Sequence, residues 1–291
     1  EARVVSRRRA GPGDEGGPIA SPPRRRGKRY TAEMESTPPP APARPRARGI
    51  YLLPNLFTTG GMFAGFYAII AAAQGQFPDA CVAVFVAAIL DGLDGRVARL
   101  TNTQSEFGVQ YDSLADLISF GLAPSMVMYH WALASLRLDG ATPGKIGWIV
   151  AFLYAACAAL RLARFNAQVG QVDKRWFIGL ASPAAAGLVV SFVWTCASFG
   201  LSGRALRYVA LGATVVAALL MVSRLRYFSF KGAGPRSDRV PFLAIVVVVA
   251  VLVAVATDPP TVLLAVFALY ALSGLLYWAW RRVRRPVEAA A

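Results

Sequence analysis

The sequence predicts an all-α, polytopic membrane protein, and three observations carry that prediction. Of the 291 residues, 56% are hydrophobic and only 16% are charged, against roughly 25% charged in an average soluble domain. The apolar residues gather into blocks close to the about 20 residues that a helix needs to cross a bilayer. Arginine and lysine collect in the stretches between alternate blocks, the asymmetry that marks cytoplasmic loops.

Eight apolar blocks can be marked, at 52–73, 79–99, 108–135, 145–164, 179–199, 205–223, 240–256 and 261–280. Basic residues occupy the tail before the first block, the segment 96–106, the loop RFNAQVGQVDKRWF, the loop RLRYFSFKGAGPRSDR and the end RRVRR. The alternating connections AQGQFPD, RLDGATPGK and TDPP carry little positive charge. The stretch around Arg204 and Arg207 is the exception. An even number of crossings with both termini in the cytoplasm satisfies most of this pattern, so the carboxyl end of the second helix and the start of the third are expected near the cytoplasmic face.

Residues 1–49 contain RRRAGPGDEGGP, SPPRRRGKR and PPPAPARPRAR. Such Pro- and Arg-rich composition cannot bury a core, and it lacks the apolar run of a secretory signal. A disordered cytoplasmic tail is expected, and contact with anionic lipid is its functional alternative. The net charge of +15 suits an anionic membrane surface. No recognition motif for nucleic acid accompanies it, and no nucleic-acid partner is expected. Cys81, Cys157 and Cys196 lie inside apolar runs and read as small buried hydrophobes. With His130 as the single histidine, histidine-based metal or triad chemistry is excluded.

The chemistry-bearing stretch runs DGLDGRVAR from Asp91 to Arg99, then eight residues, then GVQYDSLAD from Gly108 to Asp116. Asp91 and Asp94 are three apart, and Asp112 and Asp116 are four apart, so each pair shares one helix face. A short polar link between the two helices lets the faces meet. Each acid at a helix centre costs roughly 2.5–3.5 kcal/mol on insertion scales, or about 10 kcal/mol for four left unpaired. Arg96 and Arg99 can neutralise two of them, not four. A bound divalent cation, or a pair, removes the problem, and oxygen-only ligands favour Mg²⁺ or Mn²⁺ over zinc or copper. Gly92, Gly95 and Gly108 weaken their helices by up to about 1 kcal/mol each relative to alanine. Close helix packing explains such glycines in general; beside carboxylates, Gly95 and Gly108 point to space for a ligand. Carboxylate-held cations commonly bind a polyphosphate, and at a membrane surface that suggests an activated lipid.

The pattern D-x-x-D-G-x-x-A-R-x₈-G-x₃-D-x₃-D, matched at every fixed position, resembles that of the CDP-alcohol phosphatidyltransferase family. The motif covers 91–116, and the wider resemblance extends over roughly 50–223. It implies a six-helix catalytic core at 50–223; beyond it, the last two apolar blocks and the basic end predict two further transmembrane helices within 224–291. It also implies a homodimer in a bacterial cell membrane. Asp91, Asp94, Asp112 and Asp116 are implied as ligands of a two-metal site, with Asp116 also the general base. Asn55, Thr58, Gly95, Arg99, Ser105 and Gly108 are implied as contacts to the CDP-lipid.

Within the family, LPNLFTTGGMFAGF, LDGLDGRVARL, DSLADLISFGLAP, RLARFN and GLASPAAAG resemble bacterial members that use L-serine as acceptor and CDP-diacylglycerol as donor. Gly61 and Ala181 stand where that branch commonly has Asn and Pro. Arg161, Arg164 and Asn166, at the cytoplasmic end of the fourth block, are candidates for gripping the acceptor, since arginine suits a carboxylate. They serve equally as positive-inside anchors, and they suit a phosphate-bearing acceptor such as glycerol 3-phosphate or an inositol phosphate. A divalent-cation transporter is the reading from another class. Transport sites, however, lie near the bilayer midplane, whereas these acids are expected near one face.

Overall fold

The computed structural model describes residues 52–101, 105–167, 176–228 and 242–288; the tail expected at 1–49 lies outside them. Among the described residues, every one of the eight apolar blocks contains helix. The helices are α1 (Leu52–Ala73), α2 (Phe77–Leu100), α3 (Glu106–Asp116), α4 (Ala123–Trp131), α5 (Ala141–Ala167), α6 (Ser182–Ser198), α7 (Arg207–Val222), α8 (Phe242–Thr257) and α9 (Pro259–Glu288). Two three-residue strands, β1 (Trp176–Ile178) and β2 (Arg226–Phe228), pair antiparallel with Phe177 opposite Tyr227. The all-α, polytopic expectation holds, with this short ribbon as its sole β component among the described residues.

Among the described residues, four stretches are long and apolar enough to cross a membrane: Leu53–Ala73, Glu106–Asp139, Ala141–Ala167 and Pro259–Trp280. Ser182–Ser198, Arg207–Val222 and Val248–Thr257 are shorter apolar helices. Helix α2 has 24 residues, about 36 Å at the usual rise, but Asp79, Asp91, Asp94, Arg96 and Arg99 dilute its apolar character. Large apolar side chains such as Phe63, Phe66, Phe152, Leu160 and Leu252 are exposed, as an integral membrane protein requires of its lipid-facing surface.

The third block is not one continuous α-helix. Helix α3 ends at Asp116, a π-helical stretch occupies Leu117–Leu122, α4 follows, and a 3₁₀ segment runs from Leu133 to Asp139. Pro124 explains the break. It lacks an N–H, so the Phe120 carbonyl four residues earlier loses its helical donor. The buried Tyr154 hydroxyl of α5 donates to that carbonyl at 3.4 Å. Such π stretches are frequent at functional sites, and this one begins at the residue after Asp116.

Helices α1 and α2 form a hairpin through Gly75, whose φ of +80° is the left-handed conformation that glycine adopts without strain. Their buried faces are dominated by small residues, among them Ala68, Ala71 and Ala72 of α1 and Ala80, Cys81 and Ala87 of α2, which lets helices approach closely in lipid. The π stretch packs on α1 at Gly65, where an added Cβ would lie 2.8 Å from the Ser119 Cα. Ser119 donates to the Gly61 carbonyl at 3.1 Å. Gly65→Ala is therefore expected to cost about 1–3 kcal/mol, the usual range for overpacking. A fall in thermal midpoint in detergent, with retained insertion, checks this.

Helix α9 lies across α6. A Cβ on Gly187 of α6 would meet the Phe267 ring at 2.5 Å, and Phe267 stacks on Phe85 of α2 with centroids 6.1 Å apart. The Tyr227 hydroxyl of β2 donates to the Ala271 carbonyl at 3.3 Å. The last two helices thus differ: α9 is anchored to α6, α2 and β2, and α8 packs on α9.

Candidate active site

The site forms where the end of α2 meets α3. Helix α3 starts at Ser105, whose side chain accepts from the Gly108 amide at 3.0 Å. This N-cap sets the register that turns Asp112 and Asp116 toward α2. One carboxylate oxygen each from Asp91, Asp112 and Asp116 lies within 4.8 Å of the others. Asp94, 6% exposed, lines the same cleft but accepts a 2.7 Å hydrogen bond from Thr58 of α1. The cleft is small and partly open, and it is lined by all four aspartates together with Thr58 and Ser119.

Three carboxylates this close repel one another, and a half-buried setting weakens the screening that water would supply. A cation among them reverses the sign of the interaction. The donors are all hard oxygens with no nitrogen or sulfur, which fits a divalent ion such as Mg²⁺ or Mn²⁺ and not a thiolate-loving metal. The acidic cluster can hold a divalent cation. The three cysteines are free, buried and remote from it in chemistry.

The other expected site residues are distributed unequally. Thr58 reaches the cleft, and its hydroxyl also contacts the Pro54 carbonyl of its own helix at 3.1 Å. Asn55 stands beside Gly108, where a Cβ would be 3.7 Å from its Oδ1 and 3.2 Å from the Ser105 Oγ. Gly108 is therefore needed partly for its own N-cap. Gly95 has open space at its Cβ position, and the Arg99 Nε donates to the Gly95 carbonyl at 2.8 Å. Asn55, Gly95, Arg99, Ser105 and Gly108 do not line the carboxylate cleft.

The three acceptor candidates diverge. Arg161 is half-buried, donates from Nη1 to the Ser182 Oγ at 2.7 Å and lies in electrostatic range of Asp116. Arg164 donates instead to the Val222 carbonyl of α7 at 3.2 Å, where it ties α5 to α7. Asn166 donates to the Ser113 Oγ at 2.9 Å, joining the end of α5 to α3 next to Asp112. Sequence reasoning did not single out Ser119, or the Thr59–Tyr111 hydroxyl pair at 2.9 Å, which links α1 to α3. A serine within an apolar block was the one available signal for Ser119.

The Thr58–Asp94 bond yields a prediction. A hydrogen bond to a charged group contributes about 1.5–3 kcal/mol, so Thr58→Val is expected to lower kcat/KM roughly 10- to 100-fold. Thr58→Ser should retain most activity; equal losses in the two variants would show that the hydroxyl is not what matters.

Comparison with known proteins agrees with this geometry. Residues 51–223 match CDP-alcohol phosphatidyltransferase. A CDP-diacylglycerol–serine O-phosphatidyltransferase of Helicobacter pylori strain J99 is 39% identical over 236 residues, covering 81% of this chain and 94% of that protein. One from Bacillus subtilis strain 168 is 32% identical over 181 residues, covering 62% of this chain and 91% of that protein. One from Mycobacterium leprae is 38% identical over 166 residues, covering 54% of this chain and 53% of that protein. The family match takes in α1 through α7 and with them every aspartate of the cleft: the chain belongs to the CDP-alcohol phosphatidyltransferase family.

Proposed function

We propose that this protein transfers the phosphatidyl group of CDP-diacylglycerol to the hydroxyl of L-serine, forming phosphatidylserine and CMP. The observation that carries the chemistry is the convergence of Asp91, Asp112 and Asp116 beside the buried Asp94. The serine acceptor is supported by relatives up to 39% identical that are named CDP-diacylglycerol–serine O-phosphatidyltransferase.

Asp91, Asp94, Asp112 and Asp116 would hold Mg²⁺ or Mn²⁺, two ions in the reading adopted here, supplying charge neutralisation for a pyrophosphate. Asn55, Gly95, Arg99, Ser105 and Gly108 would receive the cytidine and phosphates, with the open space at Gly95 allowing close approach. Thr58 fixes the Asp94 carboxylate. Asp116 takes the proton from the serine hydroxyl; the oxygen forms a bond to the lipid-side phosphorus, and the bond from that phosphorus to the CMP oxygen breaks. Arg161 is the best-placed cation for the serine carboxylate, being half-buried and in electrostatic range of Asp116. Arg164 and Asn166 hold the end of α5 in place through α7 and α3.

The same reading places the protein in a bacterial cell membrane as a homodimer, with the active site and both termini facing the cytoplasm. The catalytic core is assigned to 50–223, the tail to 1–49 and the added helices to 224–291. Glycerol 3-phosphate or an inositol phosphate would use the same arginine, so the acceptor is decided by assay: purified protein given CDP-diacylglycerol and radiolabelled serine is expected to move label into extractable lipid. Label entering lipid only from glycerol 3-phosphate would keep the chemistry and remove serine.

The tail gives a separate prediction. Its composition cannot form a packed domain, so deletion of residues 1–45 should leave specific activity within about threefold of the intact chain. Loss of turnover in well-folded truncated protein would give the tail a catalytic part.

A further inference from the structure

Two adjacent threonines of α1 reach the two helices that carry the aspartates. Thr58 donates to Asp94 of α2 at 2.7 Å, and Thr59 pairs with the Tyr111 hydroxyl of α3 at 2.9 Å. The direction of the second bond follows from its neighbour. A threonine hydroxyl carries one proton, and that of Thr59 goes to the Asn55 carbonyl at 2.7 Å, so the Tyr111 hydroxyl donates to the Thr59 Oγ1. Tyr111 immediately precedes Asp112. Ser113, which immediately follows it, accepts from Asn166 of α5 at 2.9 Å. Successive helical residues lie about 100° apart around the axis, so the two bonds grip α3 on either flank of Asp112. The Tyr111 ring is steadied by Phe107, one turn earlier, with centroids 5.8 Å apart and planes 11° from parallel. Side chains end about 5–6 Å from a helix axis, so a rotation of about 10° would carry the Asp112 carboxylate about 1 Å. Mg²⁺ demands near-ideal oxygen distances of about 2.0–2.1 Å, and a working site has to be held within about 0.5 Å. The rotation of α3 about its axis is therefore a quantity that the site has to control.

We infer that Tyr111 is a positioning residue for the divalent-cation site: its hydrogen bond to Thr59 sets the rotation of α3 and so aims Asp112 and Asp116 at Asp91. The inference rests on the assignment of the aspartates to a metal. Thr59 and Tyr111 do not line the carboxylate cleft; they act through Asp112, the residue next to Tyr111. The Ser105 N-cap fixes where α3 begins, and the bonds at Tyr111 and Ser113 fix how it is turned. One turn of α1 thereby holds both halves of the acidic cluster, α2 through Thr58 and α3 through Thr59.

Binding of Mn²⁺ to the purified full-length protein, followed by its paramagnetic resonance signal, tests this without turnover. Tyr111→Phe keeps the ring on Phe107 and removes the donor; Thr59→Val removes the acceptor. Each is expected to weaken Mn²⁺ binding about 5- to 10-fold, within what one neutral hydrogen bond can supply. The double variant should lose no more than either single one, as two partners of one bond require. Thr59→Ser, which keeps the hydroxyl, should bind Mn²⁺ nearly as wild type does. The thermal midpoint without metal should change little in all of them. Phe107→Leu, which loosens the ring but leaves both hydroxyls, should weaken Mn²⁺ binding less than Tyr111→Phe does; an equal or larger loss would assign the effect to ring packing and overturn the proposal. A lowered metal-free midpoint with wild-type Mn²⁺ affinity in Tyr111→Phe and Thr59→Val would make the pair a structural tie and overturn it as well. If Asp91→Asn weakens Mn²⁺ binding and neither Tyr111→Phe nor Thr59→Val does, the inference fails while the metal assignment stands. If Asp91→Asn leaves Mn²⁺ binding unchanged, the assignment fails and takes the inference with it.

Discussion

Asp91→Asn is expected to abolish turnover while the protein still inserts and folds. Asp91 supplies one of three carboxylates whose oxygens lie within 4.8 Å of one another. Removing its charge weakens the whole cluster's hold on a divalent cation. Charge stabilisation by a metal is worth several kcal/mol, and each 1.36 kcal/mol is tenfold in rate, so a loss of about a thousandfold or more is expected. Asp112→Asn should behave alike, because Asp112 belongs to the same set. The substitution also relieves repulsion among the acids, so the thermal midpoint without added metal should stay level or rise. Binding of Mn²⁺, followed by its paramagnetic resonance signal, should weaken in parallel with activity. Wild-type Mn²⁺ affinity together with lost turnover would assign Asp91 a role other than ligation.

Asp116→Asn carries the second large effect. Asp116 is the last residue of α3 and the last before the π stretch, one turn beyond Asp112. It is the carboxylate in electrostatic range of Arg161, and so the one that faces both the acidic cluster and the proposed acceptor position. General-base assistance contributes about 10²–10⁴-fold. The expected result is a fall of that size in kcat, with binding of CDP-diacylglycerol largely preserved. A kcat within a few-fold of wild type would remove Asp116 as the base and direct attention to another cleft oxygen.

Much of the site was legible because its constraints are local. The spacing of Asp91 with Asp94 and of Asp112 with Asp116 puts each pair on one helix face, whatever the rest of the chain does. Insertion cost then demands a compensating cation. The helical blocks were equally legible, since hydropathy and length decide them. Three features were not. The break after Asp116 depends on Pro124 and on a donor, Tyr154, 34 residues beyond the carbonyl it satisfies. The role of Thr58 as the Asp94 partner spans 36 residues, and in the sequence it looked like a nucleotide contact. The divergence of Arg161 from Arg164 arises from their three-residue separation on α5 and from what α6 and α7 present there: a serine hydroxyl to one, a helix-terminal carbonyl to the other. In sequence the two are equivalent basic residues at the end of an apolar block. Helix α9 read as a uniform apolar crossing, and its seating on Gly187 of α6 through Phe267 emerges from tertiary packing alone.

The central claim joins the acidic cluster to serine-dependent cleavage of the activated lipid. Its most direct test measures CMP release from CDP-diacylglycerol by the purified protein, with serine or glycerol 3-phosphate as acceptor, before and after chelation. CMP release is predicted to require serine, to stop with EDTA, and to return when Mg²⁺ or Mn²⁺ is restored. Full serine-dependent CMP release under thorough chelation would contradict the metal-assisted account of the four aspartates.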